Sequence, residues 1–584
     1  MSASIVHEKV TAALAGALEH AREQGDLTSA PFPQLSVDLP KREEWGDLSS
    51  SIAMMIAKKE ARPPKEIAEL LAGYLNKHST VVEHTSVAPP GFLNFTIARS
   101  LWFALLQEIE EKGPDYGKSQ VGAGRRILLE YVSANPTGPL HMGHGRGAAL
   151  GDALARVLEA AGFVVEREFY VNDAGRQMKL LGASVFARYQ ECLGVTVVFP
   201  EDGYHGMYIR SVAQQIADRE GKAFLDLPLE EAQDQCGQLA CQELLGVMKQ
   251  DLRLFGVEFD SWFSEASLFA DGKVKDSLET LKSQDLVFEE DEAVWFRSSK
   301  FQDEKDRVVV KQDGAFTYLA SDIAYHHHKL TRGFDQLINI WGADHHGYIP
   351  RMKGAVQAFG FSSDVLQVVL VQMVSLLRDG KKVEMSKRAG EFVSLREVID
   401  EVGADAARFF FLMRRSDSHL EFDLELAKKQ SSDNPVYYVQ YAHARLSSLF
   451  RVAAERGYVV HSVSEVDFAV IVEPEEFRLI KHLSIFPGLV AACARAFEPH
   501  RLTFYLQELA GHLHAFYFKH RVLPPREGGS EARGAGASGQ GEPPDTPGSP
   551  SQAVTLARLV LLRQVQTVLR NGLGFLGVSA PDRM

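Results

Sequence analysis

The sequence predicts a multidomain protein in which a small α+β domain precedes an α/β domain with a parallel sheet and then an all-helical domain. The chain has 584 residues, 45% of them hydrophobic and 24% charged, which suits several globular domains. A strand–helix–strand pattern, the unit of parallel sheets, begins near residue 126. From about residue 395, apolar residues recur at helical spacing almost to the end. We therefore expect domains over 1–115, 116–395 and 396–584.

The first domain is predicted to combine helices with a strand. Segments 5–23 and 64–77 carry apolar residues at intervals of three and four, the spacing of an amphipathic helix. Segment 87–97 contains a Pro-Pro-Gly turn that leads into an alternating strand. Glycine and proline at 111–114, and glycine at 122–124, mark a linker to the second domain.

The second domain is predicted to hold the sheet and a helical insertion. A strand at 126–132 is followed by a turn rich in Pro and Gly, a helix over 144–161 and a strand at 163–171. Later strands are expected at 306–311, 336–341 and 367–373. Residues 176–290 are mainly helical and are expected to interrupt the sheet as an insertion.

The third domain is predicted to be helical apart from one stretch. Residues 524–551 are rich in Pro, Gly, Ser and Ala, and this composition cannot bury a core. We therefore expect a disordered surface loop between two helices.

Charge, hydropathy and cysteine content limit the class of function. The net charge of −14 argues against a protein that coats nucleic acid, but it allows a local basic surface that grips a folded RNA. No run of about 18 apolar residues predicts a membrane span, and the start of the chain lacks the pattern of a secretory signal. The four cysteines fit no zinc pattern, so we expect free thiols, no structural metal and a cytoplasmic location.

The first motif lies in the turn between the first strand of the sheet and the helix that follows. His141 and His144 are three residues apart, so both face one side of a helical turn. Ligands of open α/β sheets bind at this end of the strands, where free helix amides favour phosphate. Gly143, Gly145 and Gly147 leave the backbone open to a nucleotide, and two imidazoles could donate hydrogen bonds to ATP phosphates. The alternative is a Gly-rich turn with surface histidines.

The second motif is a cluster of lysine and arginine residues at 378–390. Met385, Ser386 and Lys387 form its centre, and the surrounding glycines and charges suit a mobile loop that closes over a triphosphate. Lys387 would neutralise the pyrophosphate as it leaves. Considered alone, such a cluster is also typical of a solvated loop.

The two motifs together resemble the HIGH and KMSKS signatures of class I aminoacyl-tRNA synthetases. Met142 replaces the isoleucine of the first signature with another apolar residue, whereas Glu384 replaces the first lysine of the second. A carboxylate cannot replace an ammonium against phosphate. The expected charge therefore falls to Lys387, together with Lys381 or Lys382.

Further segments are similar to those of arginyl-tRNA synthetases over nearly the whole chain, except for 524–551 and parts of 190–300. These segments lie at 91–95, 170–177, 313–325, 341–346, 433–445 and 577–584. The resemblance implies a Rossmann-like catalytic domain between an N-terminal domain that binds the tRNA elbow and a helical domain that binds the anticodon.

Selectivity for arginine needs acceptors for a planar cation with five donors. Glu130, Asp322 and Asp344 are carboxylates near predicted sheet ends, and Tyr318 shares a helical face with Asp322. From spacing alone, a helix-terminal tyrosine and a surface aspartate are equally consistent. The resemblance implies that Glu130, Tyr318 and Asp322 hold the guanidinium, and that Asn135 with Asp344 holds the backbone groups of the amino acid.

The resemblance also implies the reaction and the remaining contacts. An arginine–tRNA ligase uses ATP, with Mg²⁺, to activate L-arginine as arginyl-adenylate, and transfers arginine to the 3′ adenosine of tRNA(Arg). His141, His144 and Lys387 would act in catalysis. The expected ATP contacts are His141, Gly143, His144, Gly145, Met385, Ser386 and Lys387, and the expected tRNA contacts are Asn94, Tyr438, Tyr517 and Met584. We expect a monomer that needs tRNA for activation and has no editing domain.

Three other functions stay open at this point. Another synthetase of the same class, such as the cysteinyl or glutamyl enzyme, would share both motifs. A small-molecule nucleotidyltransferase would share the first motif but would have little use for the helical region 395–584. A non-catalytic RNA-binding or regulatory protein is disfavoured by the intact His141, His144 and Lys387.

Overall fold

The structure, a computed structural model, describes residues 4–383, 393–459, 461–525 and 549–584. The centre of the second motif, with Glu384, Met385, Ser386 and Lys387, lies outside the described residues. Residues 526–548 of the predicted loop also lie outside them.

Helices and a three-stranded antiparallel sheet form the N-terminal region. Its elements are α1 (Ile5–Glu23), β1 (Leu48–Ser50), α2 (Ile52–Glu60), α3 (Pro64–His78), β2 (Val82–Ala88), β3 (Phe92–Ile97) and α4 (Arg99–Lys112). The predicted helices 5–23 and 64–77 are confirmed, since their apolar residues form buried stripes. The strand order is β1-β3-β2, so β3 is the central strand.

The central region alternates strands and helices. Its first half consists of β4 (Arg126–Glu130), α5 (Met142–Ala160), β5 (Val164–Val171), α6 (Arg176–Cys192), α7 (Met207–Glu220), α8 (Leu229–Leu254), β6 (Ser261–Ser264), α9 (Glu265–Ala270) and α10 (Lys273–Ser283). It continues with β7 (Val287–Glu290), β8 (Ala293–Phe296), β9 (Arg307–Val310), α11 (Tyr318–Thr331), β10 (Gln336–Gly342), α12 (Ile349–Ala358), β11 (Leu366–Val371), β12 (Val374–Arg378) and β13 (Lys381–Lys382).

The predicted parallel sheet is confirmed and has five strands in the order β11-β10-β4-β5-β6, all paired in parallel. The apolar strand β4 is central, and Ile127, Leu128 and Leu129 are fully buried. A strand buried on both faces is expected to be continuously apolar, as this one is. All five carboxyl ends therefore open at one edge.

Two expectations about this region need correction. The strand predicted at 306–311 is present as β9, but it pairs with β8 in a separate antiparallel sheet. The predicted insertion at 176–290 contains α6, α7 and α8, yet β6 within it is the edge strand of the parallel sheet. This four-residue strand, Ser-Trp-Phe-Ser, is too short to give a periodicity signal.

The C-terminal region is helical with one exception. Its elements are α13 (Leu395–Val402), α14 (Ala404–Leu412), β14 (Leu420–Asp423), α15 (Leu424–Lys428), α16 (Pro435–Glu455), α17 (Pro474–Ser484), α18 (Phe486–Ala496), α19 (His500–Lys519) and α20 (Gln552–Phe575). The exception is β14, which pairs in parallel with β12. Among the described residues, one segment, Pro474–Ala496, is long and apolar enough to cross a membrane, but it is 61% buried within the helical bundle.

Two buried arginines fasten α5, the helix that begins with the first motif, to the rest of the chain. Arg146 donates hydrogen bonds of 2.8 Å to the carbonyl oxygens of Gln372 and Arg415. Arg408 contacts the Asp152 carboxylate on α5 and donates to the Leu576 carbonyl at 3.0 Å. The helix of the first motif is therefore held to the segment between β11 and β12 and to the end of α20.

Candidate active site

Two adjoining cavities lie at the carboxyl ends of the parallel strands, where ligands of open α/β sheets bind. The first has a volume of about 600 Å³ and is lined by the first motif. The second has a volume of about 400 Å³ and is lined by the residues after β4, β5 and β6 and by the start of α11. The two cavities share wall residues, namely Val132, Ser133, Ile340, Trp341, Gly342 and His345. The two cavities therefore lie side by side.

The wall includes a strained turn directly after β4. Val132 and Ser133 have φ angles of +68° and +41°, a region that residues other than glycine rarely adopt. Ser133 Oγ accepts a hydrogen bond of 3.2 Å from the Tyr170 amide and donates one of 3.0 Å to Glu130 Oε1. These contacts hold the turn that leads into the first motif.

The two histidines of the first motif are brought together as predicted. Their rings stack with centroids 3.7 Å apart at the N-terminus of α5, and both line the first cavity. His141 Nδ1 accepts from the Gly143 amide at 3.1 Å, and His144 Nδ1 accepts from the His141 amide at 3.2 Å. Because Nδ1 accepts in each neutral ring, Nε2 carries the proton and is the donor. His141 Nε2 is buried, so in this arrangement His144 Nε2 is the donor that an anion at the helix N-terminus can reach, with the His141 ring stacked against it.

The glycines of the motif differ in position. Gly143 lines the first cavity and is exposed, and Gly147 also lines it. Gly145 lines neither cavity. It faces other helices instead, since a Cβ there would lie 2.7 Å from Leu395 and 3.1 Å from Phe411. Gly145 therefore allows close helix packing, which its sequence position alone did not distinguish from ligand contact.

Asn135 and Asp344 also line the first cavity. The Asn135 amide donates to Gln177 on α6, so helices of the insertion help to position it. The insertion also supplies Tyr208, whose hydroxyl donates to the Thr137 carbonyl at 2.8 Å. The helical insertion thus forms one wall of the first cavity.

Three carboxylates face the second cavity, and two of them were predicted. Glu130 and Asp322 line it, while Asp344 does not. The third is Glu265, the first residue after β6, and its Oε2 has no hydrogen-bond partner among the described residues. Sequence reasoning missed Glu265 because it lies within the predicted insertion. Its position at the end of a short aromatic strand was the available signal.

The carboxylates differ in their electrostatic surroundings. Burial raises the pKa of Asp322 to about 7, with the Glu265 and Glu130 charges adding to the rise and a 2.7 Å hydrogen bond from the Tyr348 hydroxyl opposing it. Burial likewise raises the pKa of Glu265. Tyr318 is 61% exposed at the cavity mouth. A planar cation would find acceptors at the base and an aromatic ring at the entrance.

The residues predicted to contact tRNA differ in the exposure of their side chains. Asn94 is 3% exposed in the central strand β3, so its side chain cannot reach RNA in this conformation, and that expectation is corrected. The sequence does not reveal that Asn94 lies between Ser49 of β1 and Ser86 of β2 in the paired strands. Tyr438 and Tyr517 are half-buried on α16 and α19, with Arg445 4.2 Å above the Tyr517 ring, and Met584 is 52% exposed. These three stay predictions.

The comparisons with known proteins agree with this architecture. Residues 106–464 match the family model "tRNA synthetases class I (R), catalytic domain", residues 5–97 match "Arginyl tRNA synthetase N terminal domain", and residues 439–535 and 548–584 match "DALR anticodon binding domain". An arginine–tRNA ligase of Geobacter sp. (strain M21) is 49% identical over 99% of this chain and 100% of its own length. One of Syntrophotalea carbinolica is 47% identical over 97% of this chain and 98% of its own.

Two solved structures share the fold. A putative arginyl-tRNA synthetase from Campylobacter jejuni superposes with a TM-score of 0.73 at 35% identity, over 84% of this chain and 100% of that one. The arginyl-tRNA synthetase of Thermus thermophilus has a TM-score of 0.73 at 22% identity, over 99% of this chain and 100% of that one.

Proposed function

This chain belongs to the arginyl-tRNA synthetase family of class I tRNA synthetases, and we propose that its two adjoining cavities are the ATP site and the arginine site of the ligase reaction. Membership makes it an arginine–tRNA ligase of protein translation and confirms the family and fold class predicted from the sequence. The observation that carries the site proposal is the set of three carboxylates beside the stacked histidine pair.

Arginine lies in the second cavity in this proposal. Asp322 and Glu265 accept hydrogen bonds from the guanidinium, and Tyr318 covers it from the entrance. Glu130 forms the wall behind the guanidinium. The backbone groups of arginine point toward the first cavity, where Asn135 and Asp344 hold them.

ATP lies in the first cavity. His144 donates from Nε2 to its phosphates, and the ring of His141, whose Nε2 is buried, stacks against it. Gly143 lets the backbone approach, and Lys387 of the second motif adds the charge that pyrophosphate needs on leaving. Gln372 and Met373, immediately before β12, line the same cavity. The β12–β13 hairpin leads directly to the centre of the second motif, which supports a place for Lys387 near the phosphates.

The reaction proceeds in two steps. The arginine carboxylate attacks the α-phosphate of ATP, and pyrophosphate leaves. A ribose hydroxyl of the 3′ adenosine of tRNA(Arg) then attacks the activated carbonyl, and AMP leaves. A carboxylate is already a nucleophile, so positioning and charge stabilisation by the site supply most of the rate of the first step.

Mg²⁺ fits the first cavity as a companion of ATP. Asp344 is the single carboxylate among the described lining residues, and Mg²⁺ commonly keeps water and phosphate oxygens beside one or two carboxylates. The ion would neutralise phosphate charge.

We further propose a cytoplasmic monomer whose N-terminal region contacts the tRNA elbow and whose α16–α20 bundle contacts the anticodon through Tyr438, Tyr517 and Met584.

The function is tested by arginine-dependent exchange of pyrophosphate into ATP, with and without tRNA(Arg). We expect exchange with arginine and tRNA together, and none with cysteine or glutamate under the same conditions. Exchange that depends on another amino acid and not on arginine would contradict the assignment of the second cavity.

The pKa of Asp322 predicts a pH dependence of arginine binding. Below its pKa of about 7, the carboxyl of the empty pocket is protonated and must release a proton to accept the guanidinium. The arginine KM is therefore expected to rise by up to about tenfold for each pH unit below about 6.5, and to be nearly constant above pH 8. Arginine and ATP KM values measured between pH 5.5 and 8.5 check this, and an arginine KM that is constant over this range would contradict it.

A further inference from the structure

Lys329 on α11 lies behind the arginine cavity and not in it. Its side chain is 0% exposed, and it lines neither of the two cavities. Its ammonium contacts the Glu130 carboxylate, donates to Asn339 Oδ1 at 3.1 Å and lies 4.1 Å from the centre of the Tyr325 ring. Such a buried charge pair is weak evidence for a role in stability, so its position beside the site needs another explanation.

One arm of the Lys329 network leads to the strained turn. The carboxylate that Lys329 contacts also accepts from Ser133 Oγ at 3.0 Å, and Ser133 has a positive φ. Strain of this kind persists only where the surroundings hold it. By orienting Glu130, Lys329 helps to fix the turn that leads to Asn135.

A second arm leads to Asp322 through three directional hydrogen bonds. Because Asn339 Oδ1 accepts from Lys329, its Nδ2 faces His326 Nε2, 2.9 Å away. Burial lowers the pKa of His326 to about 3, so its ring is neutral and Nδ1 donates to the Asp322 carbonyl at 2.8 Å. The lysine is thus linked to the backbone of Asp322, in the second turn of α11, and helps to orient it.

We propose that Lys329 is a positioning residue for arginine, which sets the spacing between the Glu130 wall and the Asp322 wall of the cavity and so determines the affinity for arginine. The inference rests on the proposed arginine site. Lys329 also neutralises one of three carboxylates around a cavity that takes one guanidinium. The buried charge around the bound substrate is thereby brought closer to balance.

The test replaces Lys329 with methionine and measures exchange kinetics in the presence of tRNA(Arg). We expect the arginine KM of Lys329→Met to rise by about 100-fold, the usual cost of a misplacement of about 1 Å, with the ATP KM unchanged. Because Lys329→Met leaves the Glu130 charge buried and unpaired, a second variant, Glu130→Gln with Lys329→Met, removes both charges. This double variant is expected to keep the parent melting temperature and to show a raised arginine KM.

Arg332→Met is the matched control. Arg332 lies one turn further along the chain and pairs with Glu166 and with Glu168, whose side chain is 0% exposed, so its removal also leaves a buried carboxylate without its cation. We expect Arg332→Met to lower the melting temperature and to leave the arginine KM unchanged.

Three results would overturn the inference. The first is a double variant that folds and has the parent arginine KM. The second is an equal rise of the arginine KM in Arg332→Met. The third is failure of both Lys329 variants to fold, which would assign Lys329 to the stability of the domain. Asp322→Asn is measured in the same series. If it raises the arginine KM while the Lys329 variants do not, only the inference fails, whereas a parent KM in Asp322→Asn rejects the proposed arginine site.

Discussion

Replacing Asp322 with asparagine is expected to raise the arginine KM by about 100-fold and to leave the ATP KM unchanged. Losing one partner of a buried charge pair costs about 2–5 kcal/mol, and about 1.4 kcal/mol corresponds to a factor of ten. Asparagine keeps the shape of aspartate and can still accept from the Tyr348 hydroxyl. The change therefore removes the charge with little effect on packing.

Asp335 provides the control for this substitution. Its carboxylate accepts from the Arg126 amide at 2.7 Å, at the beginning of β4 and thus at the opposite end of the strand from both cavities. Asp335→Asn removes a carboxylate charge from the same domain without touching the site, so its arginine KM should equal that of the parent. Equal arginine KM values in Asp322→Asn and the parent would remove Asp322 from the pocket.

The first motif could be predicted from the sequence because its geometry is local. A strand, a turn and a helix that follow one another fix where His141 and His144 point, and capping by their own Nδ1 atoms needs only neighbouring residues. The parallel sheet could be predicted for the same reason, since the apolar strands β4, β5 and β10 are each followed by a helix.

The arginine cavity could be predicted only in part because it is assembled from distant segments. Glu265 reaches Asp322 only when β6 joins the edge of the sheet, and the four residues of β6 are too few to predict that pairing. Lys329 resembles a surface residue of a helix until Glu130 and Asn339, neighbours in paired strands, are placed against it. Lys329 lies 199 residues from Glu130 and 10 residues from Asn339 in the sequence, and no periodicity relates positions at these separations.

Replacing His144 in two different ways is expected to separate its two roles. Asparagine places an acceptor where Nδ1 lies and so keeps the hydrogen bond from the His141 amide, but it has no donor at the position of Nε2. Glutamine has an amide donor near the position of Nε2 and lacks the acceptor at Nδ1. One variant therefore keeps the helix cap and the other keeps the donor to phosphate.

The donor to phosphate carries the larger effect in our proposal. Removing one preorganised donor from a developing negative charge typically lowers kcat by about 100-fold to 1000-fold, whereas losing a helix cap costs about 1 kcal/mol of stability. We expect His144→Asn to lose kcat in the exchange reaction while keeping the parent melting temperature and arginine KM. His144→Gln should keep most of its kcat and unfold at a lower temperature. If the order of the two kcat values is reversed, capping of α5 and not donation from Nε2 explains why a histidine stands at this position.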